Sequence, residues 1–403
     1  MPRCVVKWIF SCKRFLSACA IIATALLTSC GSTGKSSTTP NPGPSVANGP
    51  NRVYAVFPPV TSNDSNFNDF NAYVLANPNV AGVTVGMPWN AIESDTTPGS
   101  YDFSALDAKL QHFIAAGKTV NLIVEPVREG GVNNYTPTYV FGSSWAASVS
   151  AAPLDVVSCN SYPGDGVNLD SGMPVVYEAP FQTAYKNFIA AVVQHYTNNA
   201  SVPIGYIRFG LVMGGEAAPL CSTQWPGYSQ TAFLNYVQDM MRYESSLNPP
   251  MQILANIHFV DSNTNTSYAD AEAQYAVQFG FGFGNNGLQK SDIANYGANA
   301  LCNADWCAMF NKYLSSTMSD GKPIQLELQT LGPTDPTGAS PTGSLADLLP
   351  FAAQRHCNLL ELWPPDLLLA FDPNYSRTSG ANSAFASFAG DYASAIQSFV
   401  SGQ

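Results

Sequence analysis

Two glutamates stand near the ends of short apolar runs, more than a hundred residues apart. Glu216 closes Ile204-Gly-Tyr-Ile-Arg-Phe-Gly-Leu-Val-Met-Gly-Gly-Glu216, and Glu327 lies within Lys322-Pro-Ile-Gln-Leu-Glu327-Leu-Gln-Thr330. A carboxyl in an apolar run is costly to bury and needs a reason. If two such carboxyls meet, one can stay protonated and donate while the other stays ionised and attacks. In a sparsely charged interior each raises the other's pKa. That pairing is what cleavage of a glycosidic bond needs, with the carboxyls about 5–5.5 Å apart when configuration is retained. A third acid, Glu361, lies in Asn358-Leu-Leu-Glu361-Leu-Trp363. It is a candidate for binding a sugar hydroxyl and an alternative nucleophile.

The elements that would bring these residues together are short runs of β-formers. In order they are Val53–Phe57, Val80–Gly86, Thr119–Val124, Gly205–Met213, Met251–His258, Ala276–Gly280, Ile324–Gln329 and Asn358–Leu362. Each reads as a strand buried on both faces. Helical spacing separates them. Leu106, Leu110, Phe113 and Ile114 mark a helix over Phe103–Ala116, stopped by Gly117; further helices are expected over Phe181–Tyr196, Ala232–Tyr243 and Ala384–Val400. Alternating strands and helices predict a parallel sheet, and eight repeats in this length predict a closed (β/α)8 barrel, an α/β TIM barrel in a single domain. Glu216 then follows strand four and Glu327 lies on strand seven, two strands whose C-terminal ends can face one central point. The long stretch from Pro126 to about Glu178 follows strand three and is expected to shape a cleft.

Candidate cleft residues follow from the same placement. Glu125 ends strand three, where it could bond sugar or pair with Arg128, and His258 ends strand five. Trp225 lies in a loop after strand four, where an aromatic can stack on a sugar face or simply pack. Arg208 lies far toward the start of strand four and reads as structural.

The chain start is of another kind. Arg3, Lys7, Lys13 and Arg14 precede the apolar stretch Phe15–Leu27, which ends in Leu27-Thr28-Ser29-Cys30. This resembles a bacterial lipoprotein signal over residues 1–29, implying lipidation at Cys30. With Gly31 and no Asp after the cysteine, the resemblance implies outer-membrane sorting in a Gram-negative host, and in any host an extracytoplasmic place, periplasmic or at the cell surface. Residues 30–50, rich in Ser, Thr, Pro and Gly, read as a disordered tether, leaving residues 51–403 for the barrel. The four basic residues of the leader leave without any acidic one, which takes the formal charge from −11 to −15. So acidic a body argues against a nucleic-acid partner. Membrane contact is expected only through the lipid. Of the nine cysteines, Cys302 and Cys307 are expected to bridge, Cys159 and Cys221 could bridge, and Cys357 reads as a buried free thiol. Spacing and the lack of neighbouring histidines argue against a metal site. No phosphate loop, dinucleotide fingerprint or Gly-x-Ser-x-Gly elbow is present, so no cofactor is expected.

One stretch carries a more specific likeness. Gly82-Val-Thr-Val-Gly-Met-Pro-Trp89-Asn90-Ala-Ile-Glu93, then Pro98-Gly-Ser-Tyr101-Asp102-Phe103, then Leu106-Asp107 and Gly117-Lys118, resembles the second strand–helix unit of clan A retaining glycoside hydrolases, the β-galactosidase-like members most. The resemblance implies Glu216 as acid/base, Glu327 as nucleophile, Trp363 as the aromatic floor under the reacting sugar, and Trp89 and Asn90 as cleft residues. It departs where Gly215 replaces the clan's usual Asn before the acid/base, and where Phe281 and Phe283 stand in the region of the usual supporting Tyr. The expectation is a retaining hydrolase of β-linked oligo- or polysaccharide. The alternative is a non-catalytic carbohydrate-binding surface lipoprotein on the same barrel. A solute-binding lipoprotein would need two lobes, against which the eight strands argue.

Overall fold

The computed structural model describes residues 50–57, 70–127, 135–159, 169–199, 201–212, 215–217, 224–257, 266–296, 305–373, 375 and 385–402. The expected signal, tether and Cys30 lie outside them.

Eight parallel strands close a barrel: β1 Arg52–Phe57, β2 Val80–Pro88, β3 Thr119–Glu125, β4 Ile204–Phe209, β5 Gln252–Asn256, β6 Gly282–Leu288, β7 Leu326–Thr330 and β8 Leu359–Leu362. Sequence neighbours pair all round, and β1 closes on β8 with Tyr54 opposite Glu361. The strands are nearly all buried because helices cover their outer faces. The (β/α)8 expectation holds, as do seven of the eight strand positions to within a few residues.

The sixth strand is a correction. Ala276–Gly280 is the end of the helix Thr266–Gln278 and the turn after it. Tyr268, Ala269, Ala273 and Ala276 are buried at helical spacing, so that apolar run belongs to a helix face. The strand is the glycine-rich segment that follows. Glycine suits it because neighbouring side chains fill its inner face: a Cβ on Gly282 would overlap Leu254, and one on Gly284 would overlap the Glu327 carboxyl. β4 is also shorter than expected, ending at Phe209 where a turn begins.

The long connection after β3 is structured in its described parts, with a short helix at Ser143–Ser148 and a two-stranded antiparallel ribbon of Val156–Cys159 and Leu169–Pro174. Cys357 is buried and free, donating from Sγ to Leu359 O. Cys307 is disulfide-bonded, while Cys302 lies outside the described residues, as do Cys221 and the Cys159 side chain. Among the described residues no helix is long and apolar enough to cross a membrane, and no group of acidic, His and Cys residues could hold a metal ion.

Candidate active site

The barrel lumen begins as an apolar plug of Tyr54, Tyr206, Leu254 and Leu359. Two residues further along the same strands the inward side chains become polar: Arg208 follows Tyr206, Asn256 follows Leu254, and Glu361 follows Leu359. Register then sets the neighbours. Asn256, Gly284 and Glu327 form one row across β5, β6 and β7, and Asn286, Gln329 and Glu361 form the next across β6, β7 and β8.

Arg208 is the hub of this layer. Its Nη1 donates to Asn286 Oδ1 at 2.8 Å and to Glu327 Oε2 at 3.1 Å. Its Nη2 donates to Gln329 Oε1 at 3.2 Å and to Glu361 Oε2 at 3.3 Å. All three charged side chains are fully buried. Burial works against the Arg208 charge, but Glu361 and Glu327 outweigh it and hold the guanidinium above its usual range. Tyr206, from the plug below, donates its hydroxyl to Glu361 Oε1, and burial with the charges of Glu361 and Glu327 pushes that phenol far up. Asn286 passes the network on, its Nδ2 donating to Glu216 Oε1 at 3.0 Å. Glu216 and Glu327 therefore do converge, joined by one guanidinium and one amide.

The two acids near Arg208 differ in what is left to them. Both oxygens of Glu361 accept protein hydrogen bonds, whereas Glu327 Oε1 has no partner. Burial pushes the Glu327 carboxyl well above the usual range; the Glu361 charge adds to this, Arg208 pulls back, and Glu216 adds again. Glu327 fits only because residue 284 is glycine, since its carboxyl occupies the place of that side chain.

Glu216 sits half-buried beyond a tight turn. Its carbonyl accepts from Leu211 N at 2.9 Å and Val212 N at 2.8 Å. Gly215 has φ +77°, and a Cβ there would overlap Ile123; a Cβ on Gly210 would come 2.6 Å from Gly215 Cα. The Asn that the resemblance would put at 215 therefore has no room, and Asn286 presents an amide to Glu216 from β6 instead.

Other expected residues divide. Trp363 follows β8 and is half-buried, its Nε1 donating to Thr330 O at 2.9 Å across the end of β7, which leaves the indole beside the strand that carries Glu327. Glu125 ends β3 on the inward alternation of Asn121 and Ile123 and is buried; Arg128, its possible partner, lies outside the described residues. Asn90 is half-buried in the turn after β2, its N–H donating to Tyr135 O.

Trp89 is a correction. It is fully buried, stacked on Phe188 and packed against Phe181 and Tyr185, and its Nε1 donates to Glu93 Oε2 at 2.6 Å. Glu93 Oε1 accepts from Gly99 N and the Tyr139 hydroxyl. The Trp-x-x-x-Glu and Gly-x-Tyr motif thus knots the end of β2 to the helix Ala179–Asn198 on the outside of the barrel. Trp225 is likewise core, 3% exposed and packed against Tyr177, Tyr228 and Phe233, so it offers no face to a sugar. His258 lies outside the described residues. Tyr206 and Asn286 are not among the expected site residues, and Arg208, expected to be structural, stands at the centre of the site. The signal for Arg208 was an arginine inside a fully apolar run, which demands carboxylates.

No family model and no curated protein matches the chain. Solved structures similar to it include the catalytic domain of a β-amylase from Paenibacillus polymyxa, at 13% identity over 87% of this chain and 91% of that one with a TM-score of 0.42. An endo-β-1,4-xylanase from Gloeophyllum trabeum is 12% identical over 78% and 85%, with a TM-score of 0.45. An intracellular xylanase from Thermoanaerobacterium saccharolyticum is 12% identical over 78% and 86%, with a TM-score of 0.41. Likenesses this distant carry no argument about chemistry, which rests on the side chains above.

Proposed function

We propose that the protein is a retaining glycoside hydrolase of β-linked oligo- or polysaccharide, with Glu216 as acid/base and Glu327 as nucleophile. The observation that carries this is the pair of carboxyls after β4 and on β7, tied into one lumen network and differently engaged. Glu327 keeps an oxygen without a protein partner, as an attacking carboxylate must, while Glu361 is occupied on both. Arg208 opposes the buried negative charge and disposes the Glu327 carboxyl at one oxygen only. Attack by the other oxygen on the anomeric carbon, as Glu216 protonates the leaving oxygen, gives a glycosyl-enzyme; Glu216 then takes a proton from the water that releases it. Trp363 is the aromatic floor.

The remaining sequence expectations join this proposal: export under the residue 1–29 signal, lipidation at Cys30, a tether to about residue 50, and a Cys302–Cys307 bridge. A carbohydrate-binding lipoprotein is the second reading, favoured by the complete burial of Glu327. Reducing-sugar release on a panel of β-linked polysaccharides and aryl glycosides, with Glu216→Gln and Glu327→Gln alongside, separates the two. Loss of release in both variants is expected. Full activity in Glu327→Gln would hand the nucleophile to Glu361, and binding without release by the wild type would make this a lectin-like barrel.

A further inference from the structure

The barrel wall is unevenly laced. β3 and β4 stay paired as far as Val124 and Phe209, and β5 and β6 as far as Asn256 and Gly284. Between β4 and β5 the pairing covers only Tyr206 with Gln252 and Ile207 with Ile253. Beyond that point the two strands part. A small space there is lined by Phe209, Leu211, Ala217, Met241, Glu244 and Asn256, among others. Its lining draws on both sides of the wall: Phe209 and Met241 belong to the outer core, while Asn256 shares the inward alternation of Leu254.

Two of these side chains are out of place in apolar surroundings. Glu244, on the helix Gln230–Ser246, is 3% exposed and its Oε1 has no protein partner. Asn256 is 3% exposed, and neither Oδ1 nor Nδ2 has one. Leaving such groups unmatched in an interior is unfavourable. A small molecule with two donors and two acceptors answers both, accepting from the amide and bonding the carboxyl, and the space has room for about one water.

The location gives such a ligand a task. The space lies directly behind the turn that carries Glu216, since Leu211 and Ala217, on either side of Glu216, both line it. Tyr185 and Tyr236 already tie that turn to the outer helices, donating to Gly210 O and Leu211 O at 2.6 Å each. These two phenols are the titratable groups that feel the charge of Glu244. Asp239, on the same helix, is ion-paired with Lys186 and Arg242 nearer the surface, and Arg208 is committed within the lumen. Among the described residues no cation lies against Glu244, and burial pushes its carboxyl well above the usual carboxylate range.

We propose that the gap between β4 and β5 is a water-binding site, and that Glu244 and Asn256 act through that water as positioning residues for Glu216. The kinetic part rests on Glu216 being the acid/base; the water site does not. The test uses the full chain, as wild type, Glu244→Gln, Glu244→Leu and Asn256→Leu. High-resolution crystal structures and water relaxation dispersion are expected to find one long-lived water bridging Glu244 and Asn256 in the wild type and in Glu244→Gln, and to lose it in Glu244→Leu. In turnover, Glu244→Leu is expected to lower kcat about tenfold with KM within about twofold and to move the alkaline limb of the kcat profile, which Glu244→Gln restores. Absence of a bridging water in the wild type would overturn the site. A displaced water with unchanged kcat and pH profile would overturn the positioning role. A raised KM with intact kcat in Asn256→Leu would assign Asn256 to the substrate and overturn its part. If the wild type releases no sugar from any substrate, the proposed hydrolase falls, while the water site is still decided by the density.

Discussion

Replacing Arg208 by Met tests the electrostatic logic of the lumen. The guanidinium is fully buried and serves two fully buried carboxyls, so its loss strands negative charge with no solvent to receive it. Breaking a buried pair from one side costs about 3–5 kcal/mol. A stranded carboxyl limits its own penalty by taking up a proton, at about 1.4 kcal/mol per pH unit above its unfolded pKa. For one carboxyl with an unfolded value of 4.5 that ceiling is roughly 3.4 kcal/mol at pH 7 and roughly 0.7 at pH 5, and it is counted once because burial and Glu361 already hold Glu327 well above its usual range in the wild type. The sign follows: folded-state pKa values rise in the variant, so stability is lost as pH climbs above about 4.5 and regained as it falls. Lost hydrogen bonds to Asn286 and Gln329 add about 1 kcal/mol at either pH. Urea unfolding of Arg208→Met is therefore expected to show a deficit of about 4 kcal/mol at pH 7, shrinking to about 2 at pH 5. A deficit below about 1 kcal/mol at pH 7, or one equal at both pH values, would refute the reasoning, since it would mean that the carboxyls reach solvent without the arginine.

Two further outcomes follow from the same geometry. Gly284→Ala would place a methyl where the Glu327 carboxyl lies; it is expected to cost about 1–3 kcal/mol of stability and to reduce kcat far more than KM, measured by steady-state kinetics and thermal unfolding. If Glu327 attacks, it must be ionised, and its pKa is raised first by burial and next by Glu361. The acid limb of kcat/KM is then expected above the ordinary carboxylate range, and Glu361→Gln, by removing a like charge, should move that limb to lower pH; no movement would separate Glu361 from Glu327.

How legible this was depended on which physical signal each residue sends. The strands of branched and aromatic residues announced themselves, and with them the positions of Glu216, Glu327 and Glu361. β6 did not, because its inner surface is supplied by Leu254 and Glu327 from neighbouring strands, leaving the strand itself almost without side-chain pattern. The apolar run just before it was convincing for the wrong reason, being a helix face. Trp89 misled because a motif records spacing and not direction: Pro88 ends β2, and the turn it starts swings the indole outward onto Phe188. Arg208 reads as structural in the sequence because the apolar run continues to Met213 and so leaves it near the start of the expected strand; β4 in fact ends at Phe209, and the side chain reaches four partners on three other strands.

Those four partners all lie later in the chain, at separations of 78, 119, 121 and 153 residues. A chain emerging from the N-terminus has Arg208 in hand long before any of the groups that neutralise it. A half-barrel ending at β4 or β5 would have to bury a bare cation, which is prohibitive, or leave its inner wall wet. Closing the lumen around Arg208 therefore needs β6, β7 and β8, which bring Asn286, Glu327, Gln329 and Glu361. Such a late electrostatic lock leaves the lumen unneutralised until the last strand is in place.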